Sequence, residues 1–373
     1  MNQPKSTRRK TSTQRQQPSL QLVGEGPVRQ WEPQAIVSPA ATIANVTVEA
    51  EDSLAWYGRW PTPTCIVSDG PYGLGKFPGE PKTSAGLGEW YAPHVAAWSA
   101  QAGTDCTLWF WCTEVGWAIV HSVLELHGWQ YEECNVWDKG IAHVAGNCNS
   151  KTIRGMPVVT EVAVRYTKRN LLPGANGQPL SIKDWVRHEW QRSGLPMSKS
   201  NEACGVANAA TRKYLTQCHL WYFPPPEAIV RMSAFCTEHG LRTDRPYFSL
   251  DGQTPVSEPS WAALRAKWNH VHGVSNVWQE PAVHGSERVR SRDGYLHANQ
   301  KPLSLMSRQV LACTDPGDVI WEPFGGLCSA SIAALQTGRQ AFAAEVNRDY
   351  FRIAVSRVRD EFSNSPNLFE HAA

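Results

Sequence analysis

The chain has 373 residues, of which 42% are hydrophobic, and a formal net charge of +2. This length allows one large domain with an insert, or two domains, and the near-neutral charge excludes a globally basic nucleic-acid-binding protein. The ten cysteines contain no Cys-x-x-Cys pair, so we predict reduced thiols and no metal site. No apolar run approaches membrane-spanning length and no signal peptide opens the chain, which together predict a cytoplasmic protein without membrane contact.

Residues 1–40 are polar and lack hydrophobic periodicity, so we predict a disordered basic tail. Its basic run fits a solvated tail better than a weak phosphate contact, although both remain open. The run consists of Lys5, Arg8, Arg9, Lys10 and Arg15.

Residues 41–169 read as alternating strands and helices. A long glycine-rich loop is predicted over Leu74 to Tyr91, and a loop of that length beside a strand end is typical of a functional segment. The predicted strands are Ala41 to Ala50 (an edge strand), Thr64 to Ser68, Thr107 to Trp111, and a pair over Trp129 to Trp137 and Val158 to Tyr166, with a helix over Glu114 to His127.

The character of the chain changes between residues 170 and 281, which we predict to be a separate, mainly helical insert. Ile182 to Arg192 is helical in pattern. Residues 198–206 followed by Ala207 to Thr216 indicate helix, glycine turn, helix, which fits either a helix-turn-helix or a plain helical hairpin. The second helix carries side chains able to reach bases or phosphates, namely Asn208, Thr211, Arg212 and Lys213.

Residues 282–362 return to the strand and helix alternation, and 363–373 form a short polar tail. The turn Phe324-Gly325-Gly326 lets backbone approach a ligand, and Glu345 ends the next strand, 23 residues after Glu322. An acid at that place suits a bidentate contact to ribose hydroxyls. The predicted elements are helices over Leu303 to Cys313, Ser329 to Thr337 and Arg348 to Phe362, and strands over Val319 to Trp321 and Gln340 to Ala344.

Three motifs occur in a fixed order. Asp69-Gly70-Pro71-Tyr72 follows a buried strand and resembles the Asp-Pro-Pro-Tyr motif of the DNA amino-methyltransferases. Residues 297–305 resemble that family's His-Pro-x-Gln-Lys-Pro-x-x-Leu segment, and Val319 to Tyr350 resembles its cofactor motif, Asp-Pro-Phe-x-Gly-x-Gly-Thr. With the catalytic motif first and the cofactor motif last, the order is that of the permuted β group.

The resemblance implies a doubly wound, mostly parallel, Rossmann-like α/β sheet with an inserted target-recognition domain. It divides the sheet domain into a catalytic half over 41–169 and a cofactor-binding half over 282–362, with recognition in 170–281. It also implies S-adenosylmethionine as the cofactor and double-stranded DNA as the partner. A cognate restriction endonuclease is a further possible partner, and the choice between monomer and homodimer stays open.

For the catalytic motif, the resemblance implies that the Asp69 carboxylate and the Gly70 carbonyl accept the two N–H groups of an exocyclic amine. Localising that nitrogen lone pair aims it at the methyl group. Tyr72 is expected to stack on a base swung out of the duplex, and Pro71 to stiffen the loop. Gly70 departs from the family's first proline, which costs the loop rigidity.

For the cofactor, the resemblance implies a ring contact from Phe324, a close backbone pass at Gly325 and Gly326, and a ribose contact from Glu345. Lys301 and Ser304 are expected near the carboxylate end, with a solvated, helix-capping lysine as the alternative for Lys301. Two departures stand out: Glu322 replaces the usual Asp and is expected to reach the cofactor amine through water, and Cys328 replaces the second glycine, which is expected to lower affinity.

The acid Asp69 favours adenine N6 slightly over cytosine N4 as the target. Two other functions remain open. The departures at Gly70 and Cys328 favour a catalytically weak DNA-binding relative, and an RNA or protein methyltransferase is disfavoured by the large insert. A cytosine-C5 enzyme is disfavoured because no Pro-Cys pair is present.

Overall fold

The computed structural model describes residues 38–77, 79–144, 153–174, 177–218, 220–269, 273–291, 294–295 and 299–364. The predicted tails lie almost wholly outside these residues, as do His297 and Ala298 of the second motif. Within the described residues, no helix is both long enough and apolar enough to cross a bilayer.

A nine-stranded sheet forms the framework of the molecule, and its strands are short except where β5 and β6 pair. The strands of the described residues, in the large sheet and outside it, are β1 Ala40–Ile43, β2 Val46–Glu49, β3 Cys65–Ser68, β4 Thr107–Cys112, β5 Trp129–Asp138, β6 Thr160–Lys168, β7 Leu171–Pro173, β8 Pro179–Ser181, β9 Val277–Gln279, β10 Arg290–Ser291, β11 Gly294–Tyr295, β12 Val319–Glu322 and β13 Gln340–Ala344. The order in the large sheet is β1-β2-β13-β12-β3-β4-β6-β5-β9, while β7 with β8 and β10 with β11 form separate hairpins.

The helices fall into three groups along the chain. They are α1 Leu87–Gln101 and α2 Glu114–Leu126; α3 Ile182–Arg192, α4 Ser200–Ala203, α5 Ala210–Tyr214, α6 Pro226–His239 and α7 Glu258–Ala262; and α8 Leu303–Cys313, α9 Ser329–Gln336 and α10 Arg348–Asn364.

The sheet is doubly wound, as the sequence predicted. Strands β2, β13, β12, β3 and β4 are mutually parallel, and only β1, β6 and β5 introduce antiparallel pairs. The chain passes from β12 through α9 to β13 in one direction across the sheet, and from β3 through α1 to β4 in the other. Right-handed crossovers of opposite direction place α9 and α1 on opposite faces. Strands β12 and β3 are neighbours, so their carboxyl ends form the switch point where such folds bind ligands.

The hydrophobic patterns explain most of these elements. Strands β3 and β4 are buried at every position, as expected for the centre of a parallel sheet covered on both faces. The predicted pairing of the two long strands is confirmed, with β5 antiparallel to β6. The helix expected after β4 is α2, which Gly128 follows in the left-handed region at φ +81°.

Two predictions from the first half of the chain are wrong. The single edge strand over Ala41 to Ala50 is a hairpin, in which β1 turns into β2 through Ala44 at φ +51°. The loop predicted to run to Tyr91 ends earlier, because α1 begins at Leu87 and buries both Leu87 and Tyr91. Periodicity over so few residues does not separate a glycine-rich loop from the first turn of a helix that follows it.

The insert has a hydrophobic core of its own, formed by buried side chains between Leu172 and Trp261. Its predicted end at residue 281 is too late, because β9 pairs in parallel with β5 and so belongs to the large sheet. The predicted second helix over Ala207 to Thr216 is also too long: α5 covers five residues, and Ala209 precedes it at φ +81°.

Candidate active site

A cleft of about 630 Å³ opens at the carboxyl ends of β3, β12 and β13. Asp69 and Glu345 both line it, which confirms the prediction that they face one cleft. The segment after β3 contributes Asp69, Gly70 and Pro71, and the turn after β12 contributes residues 322–327. Two strands on either side of the switch point thus bring the two motifs, more than 250 residues apart in sequence, to one site.

The glycine turn and Glu345 hold each other in place. The Gly326 N–H donates to Glu345 Oε2 at 2.7 Å, and the Asn347 N–H donates to Oε1 at 2.7 Å. Gly325 lies so close to β13 that an added Cβ would come within 3.1 Å of the Ala344 carbonyl oxygen. Burial raises the pKa of Glu345 to about 7. The turn is thus packed tightly against β13, and the Glu345 carboxyl is fixed at the cleft, where a nucleoside hydroxyl can meet it.

Glu322 does not extend toward a ligand as expected. Its carboxyl accepts N–H bonds from Ala330 at 3.0 Å and Ser331 at 2.8 Å, and the Ser331 hydroxyl at 2.6 Å. The first turn of a helix has N–H groups without helical partners, and the longer acid reaches those of α9. Burial raises the pKa of Glu322 to about 7. Its main contacts therefore order the turn, although the residue still lines the cleft.

Cys328 occupies the left-handed region at φ +55°, where glycine is favoured. Its thiol is fully buried in the main core, and its Sγ would lie 3.2 Å from a Cβ added at Gly325. Burial raises the pKa of this thiol well above its usual range. Cys328 is not among the described residues that line the cleft, so backbone strain, rather than obstruction, is the consequence of the substitution.

Asp69 lies in a buried polar network that joins three parts of the chain. Its Oδ1 lies 2.7 Å from Lys301 Nζ and 3.0 Å from the Tyr72 hydroxyl. Lys301 Nζ lies 3.3 Å from Glu161 Oε2, and the Tyr72 hydroxyl lies 3.0 Å from that same oxygen. Lys139 donates to the other oxygen of Glu161. Among the described residues, both polar contacts of Asp69 use Oδ1, which leaves Oδ2 for a ligand.

Two expected roles change in this network. Lys301 lines the cleft, but its ammonium is bound by Asp69, Tyr72 and Glu161 rather than directed at a cofactor carboxylate, and the side chain is only 2% exposed. Tyr72 is buried at 4% exposure, and among the described residues it is not one that lines the cleft, so its ring offers no stacking face. The aromatic side chains that do line the cleft include Phe77, Trp90 and Phe324.

The Gly70–Pro71 loop is fixed from two sides. The Tyr91 hydroxyl donates to the Pro71 carbonyl at 3.1 Å. Glu80 accepts four backbone N–H bonds of 2.8–3.2 Å, from Tyr72, Leu74, Lys76 and Phe77. Partial burial raises the pKa of Glu80, but these N–H groups outweigh it and lower the pKa overall.

Two aromatic side chains, Trp90 and His94, pack against Phe324. Trp90 stacks on His94 at a ring-centroid distance of 4.7 Å and lies 5.5 Å from Phe324. His94 accepts or donates a bond of 3.0 Å with the Tyr57 hydroxyl, and burial lowers the pKa of His94 to about 4. A neutral, buried imidazole therefore forms part of the cleft wall.

Several of these residues were missed from the sequence. Glu161 lies on β6 and Lys139 directly follows β5, two segments that were predicted only as paired strands. Trp90 lies in the segment predicted as a loop, and His94 follows it. Glu80, an acid among glycines and prolines before the predicted strand β4, is the one with a usable signal, because carboxylates commonly accept loop N–H groups. Asp52 and Ser53, which also line the cleft, follow the end of β2.

The remaining predicted residues lie elsewhere. Ser304 is exposed on α8, outside the described residues that line the cleft. Asn208, Arg212 and Lys213 are exposed, whereas the Thr211 hydroxyl is bonded to Ser200 Oγ at 2.6 Å and to the Met197 carbonyl at 3.1 Å. In the part of the chain that the structure describes, no three His, Cys, Asp or Glu side chains are grouped as metal ligands.

A switch-point cleft with a glycine turn and an acid ending the adjacent strand defines the class of α/β proteins that bind a nucleotide-like cofactor. The DNA methylase family model matches residues 64–356, and the chain belongs to this family, whose members act on adenine N6 or cytosine N4. The family model and the two relatives described next support an amino-methyltransferase.

The chain is similar to DNA adenine methyltransferase YhdJ of Escherichia coli K12, with 32% identity over 24% of this chain and 30% of that protein. It is also similar to the type II methyltransferase M.HpaI of Haemophilus parainfluenzae, with 29% identity over 27% of this chain and 32% of that protein. The matches thus span about a third of the length of these curated relatives. The crystal structure of an M1.HpyAVI–SAM complex covers 84% of this chain and 99% of its own, at 13% identity and a TM-score of 0.43.

Proposed function

We propose that this protein is a site-specific DNA methyltransferase that transfers a methyl group from S-adenosylmethionine to the exocyclic amine of a base swung out of the duplex. The observation that carries the proposal is the joint lining of one cleft by Asp69, Gly70, Phe324 and Glu345 at the switch point of the sheet. These are the positions at which the chain matches the catalytic and cofactor motifs of the family.

The described residues fit the cofactor. Glu345 supplies a carboxyl for ribose hydroxyls that the Gly326 N–H holds in place, and Gly325 lets the turn pack closely against β13 beside it. Phe324, backed by Trp90, supplies an apolar face for a purine ring. The cofactor supplies a methyl group bound to a sulfonium. A volume of about 630 Å³ is within the range of sites that bury molecules of that size.

The chain's own residues then prepare the target nitrogen. Asp69 Oδ2 and the Gly70 carbonyl oxygen are the two acceptors for its N–H groups, and both are held in place, the first through Oδ1 and the second by the Tyr91 bond to the next peptide. Accepting these bonds localises the nitrogen lone pair, which would form the new C–N bond as the methyl–sulfur bond breaks, with its electron pair left on the neutral thioether and the amine proton passing to solvent. The Asp69 charge stabilises the positive charge that develops on nitrogen before its proton leaves.

The insert is proposed to read the target sequence in double-stranded DNA. Supporting this are its separate hydrophobic core and the exposed side chains of Asn208, Arg212 and Lys213. The helix-turn-helix form of the proposal is weakened by the five residues of α5. A short helix with exposed cations still offers contacts to phosphates and base edges.

Adenine N6 is proposed as the target slightly ahead of cytosine N4, because Asp69 stands at the first motif position. The relative named as an adenine methyltransferase matches over 24% of the chain and supports this choice. A restriction–modification role is likewise a proposal, supported by the similarity to a protein named as a type II methyltransferase.

The experiment uses the full chain with methyl-labelled S-adenosylmethionine and duplex DNA of mixed sequence, followed by digestion to nucleosides and mass spectrometry. We expect N6-methyladenine. N4-methylcytosine alone would show that Asp69 does not set the base, and methylation of RNA but not DNA would transfer the proposal to that substrate. Cofactor binding without transfer to any nucleic acid would identify a DNA-binding relative without activity. Sequencing methylated bases in a host that expresses the protein gives the target site.

A further inference from the structure

Among the described residues, Glu161 is a second carboxylate that contacts both polar partners of Asp69, Lys301 and Tyr72. It pairs with Trp137 of β5 as the second residue of β6, next to Val162, which pairs with the last residue of β4, Cys112. Its Oε2 lies 3.0 Å from the Tyr72 hydroxyl and 3.3 Å from Lys301 Nζ. Its side chain is 12% exposed and that of Lys301 is 2% exposed. The contact between Glu161 and Lys301 is therefore largely buried.

Lys301 is shared between two acids. It lies 2.7 Å from Asp69 and 3.3 Å from Glu161, and the ring of Tyr72 covers it at 5.2 Å. Lys139, which bonds the other oxygen of Glu161, completes a set of two acids and two bases with no net charge. With Lys301 alone, the charge of Asp69 would be offset by an adjacent cation. With Glu161 present, the Lys301 ammonium is neutralised in part by a second anion, so the negative electrostatic potential of Asp69 is offset less.

This balance matters for the proposed transfer, on which the inference rests. A positive charge develops on the target nitrogen, and an uncompensated ammonium beside its acceptor would oppose that charge. Tyr72 shows the same sharing, since its hydroxyl lies 3.0 Å from both Asp69 Oδ1 and Glu161 Oε2.

We propose that Glu161 is a positioning residue for methyl transfer: by holding Lys301 and Tyr72, it fixes Oδ1 of Asp69 and preserves the charge of Oδ2 for the target amine. Neither the three motifs nor their spacing assigns a role to this residue. The inference deepens the proposed function by adding a residue of β6 to a site otherwise built from the ends of β3, β12 and β13.

The charges around Asp69 give the inference a directional consequence. Burial raises the pKa of Asp69, Lys301 lowers it, and Glu161 raises it. Burial also raises the pKa of Glu161, but Lys301 and Lys139 outweigh this and lower it to about 2, so Glu161 stays ionised at neutral pH. The other titratable groups facing Asp69 are Tyr72, Tyr91, Cys112 and Glu322.

Removing Glu161 or Lys301 should therefore move the Asp69 titration in opposite directions. In Glu161→Gln the Asp69 pKa should fall, and in Lys301→Met it should rise. The direct measurement is a carbon-13 NMR titration of protein labelled in aspartate carboxyls, with Asp69→Asn identifying the signal. This reading needs neither cofactor nor DNA. A purely structural role for Glu161 would not produce opposite shifts.

The kinetic measurement is kcat against pH on duplex DNA. For Glu161→Gln we expect kcat to fall about tenfold, the acidic limb to move to lower pH, and the Kd for S-adenosylmethionine by calorimetry to stay within about threefold. For Lys301→Met the acidic limb should move to higher pH. Glu161→Asp, which keeps the charge, should recover part of kcat.

Glu133→Gln is the matched control, because Glu133 pairs with Arg165 across the same two strands at 3.2 Å and lies outside the site. It should leave both kcat and the Asp69 titration unchanged. If Glu161→Gln does not fold, Glu161→Gln with Lys139→Met removes one acid and one base together and carries the same expectation.

Unchanged kcat and an unchanged Asp69 titration in Glu161→Gln would overturn the inference, as would shifts of the same sign in the two variants. A wild-type protein that transfers no methyl group would overturn the proposed function instead, while the NMR titration would still decide whether Glu161 sets the charge of Asp69.

Discussion

The ring of Phe324 lies against Gly70 so closely that an added Cβ on Gly70 would be 2.6 Å from Phe324 Cδ2. The same Cβ would lie 2.5 Å from the Tyr91 hydroxyl, which bonds the neighbouring Pro71 carbonyl. The position at which the chain departs from Asp-Pro-Pro-Tyr is thus the position that admits Phe324. The missing side chain couples the catalytic loop to the cofactor turn across the switch point.

Gly70→Ala should therefore weaken both the fold and the cofactor site. Relieving contacts below 3 Å requires Phe324 and Tyr91 to shift, and overpacking of this kind costs about 1–3 kcal/mol of unfolding free energy. We expect the Kd for S-adenosylmethionine to rise because Phe324 is displaced. Chemical denaturation and calorimetry measure the two effects.

Gly58→Ala is the control for that experiment, because a Cβ on Gly58 meets no atom within 4 Å. It should leave cofactor affinity unchanged. Adding Tyr91→Phe to Gly70→Ala removes the closest contact and should recover part of the lost stability. Equal effects of Gly58→Ala and Gly70→Ala would contradict the packing argument.

Asp69→Ala should remove methyl transfer while leaving cofactor binding within about threefold, because its proposed partner is the target amine. Losing one charge-stabilising group of this kind typically lowers kcat by about 10²–10³-fold. Stability should fall by about 1–3 kcal/mol, less than for a fully broken buried pair, because Lys301 keeps Glu161. Single-turnover transfer and calorimetry check the two halves. A loss confined to cofactor affinity would give Asp69 a different role.

Cofactor affinity should depend on pH through Glu345. Burial raises the pKa of its carboxyl to about 7, and the ionised form is the better acceptor for ribose hydroxyls. Affinity should accordingly increase as pH rises from about 6 to 8, by up to about tenfold per pH unit below the pKa. Calorimetric titrations across this range measure it. Glu345→Gln should bind more weakly and lose this part of the pH dependence; an identical profile in that variant would assign the effect to another group.

Stability of the insert should depend on Glu189. This fully buried acid lies 2.7 Å from both Arg192 and Arg245, and it also accepts the Phe248 N–H at 2.9 Å. Glu189→Gln leaves two arginines without their anion, and breaking such a buried group costs about 3–5 kcal/mol. Denaturation should reveal an earlier unfolding step while cofactor affinity stays unchanged. Lys199 and Glu202 form an exposed pair, so Glu202→Gln, the control, should change little.

The sheet was predictable because its strands have clear local patterns and the resemblance to the methyltransferase family implied how they are arranged. Strand β13 and helix α8 match the predicted ranges, and the two motifs fixed which strand ends had to meet. Glu345 lies in the predicted cleft because it directly follows β13, whose carboxyl end opens there. Such signals depend on residues close together in sequence.

What failed depends on contacts between distant residues. The Lys301 ammonium lies between Asp69 and Glu161, which precede it by 232 and 140 positions, and the hydroxyl of the buried Tyr72 contacts the same two acids. Glu322 turned inward because α9 begins within its reach. No local sequence pattern predicts these partners, because an ion pair requires only that two side chains lie close together in the folded protein.

Arg212 and Lys213 provide the test of DNA contact by the insert. Both are exposed at the end of α5, and Lys213 Nζ lies 5.6 Å from the ring centre of Tyr222. Replacing both by Ala should weaken duplex binding by about 1–3 kcal/mol if either reaches a base edge, and should lower the salt dependence of binding if they contact phosphate. Fluorescence anisotropy at several salt concentrations separates these outcomes. Arg242→Ala, another exposed arginine of the insert, is the matched control. Unchanged affinity and unchanged site preference in the double variant would remove this surface from the DNA-binding proposal, whereas an effect of Arg242 alone would move the contact to the segment after α6.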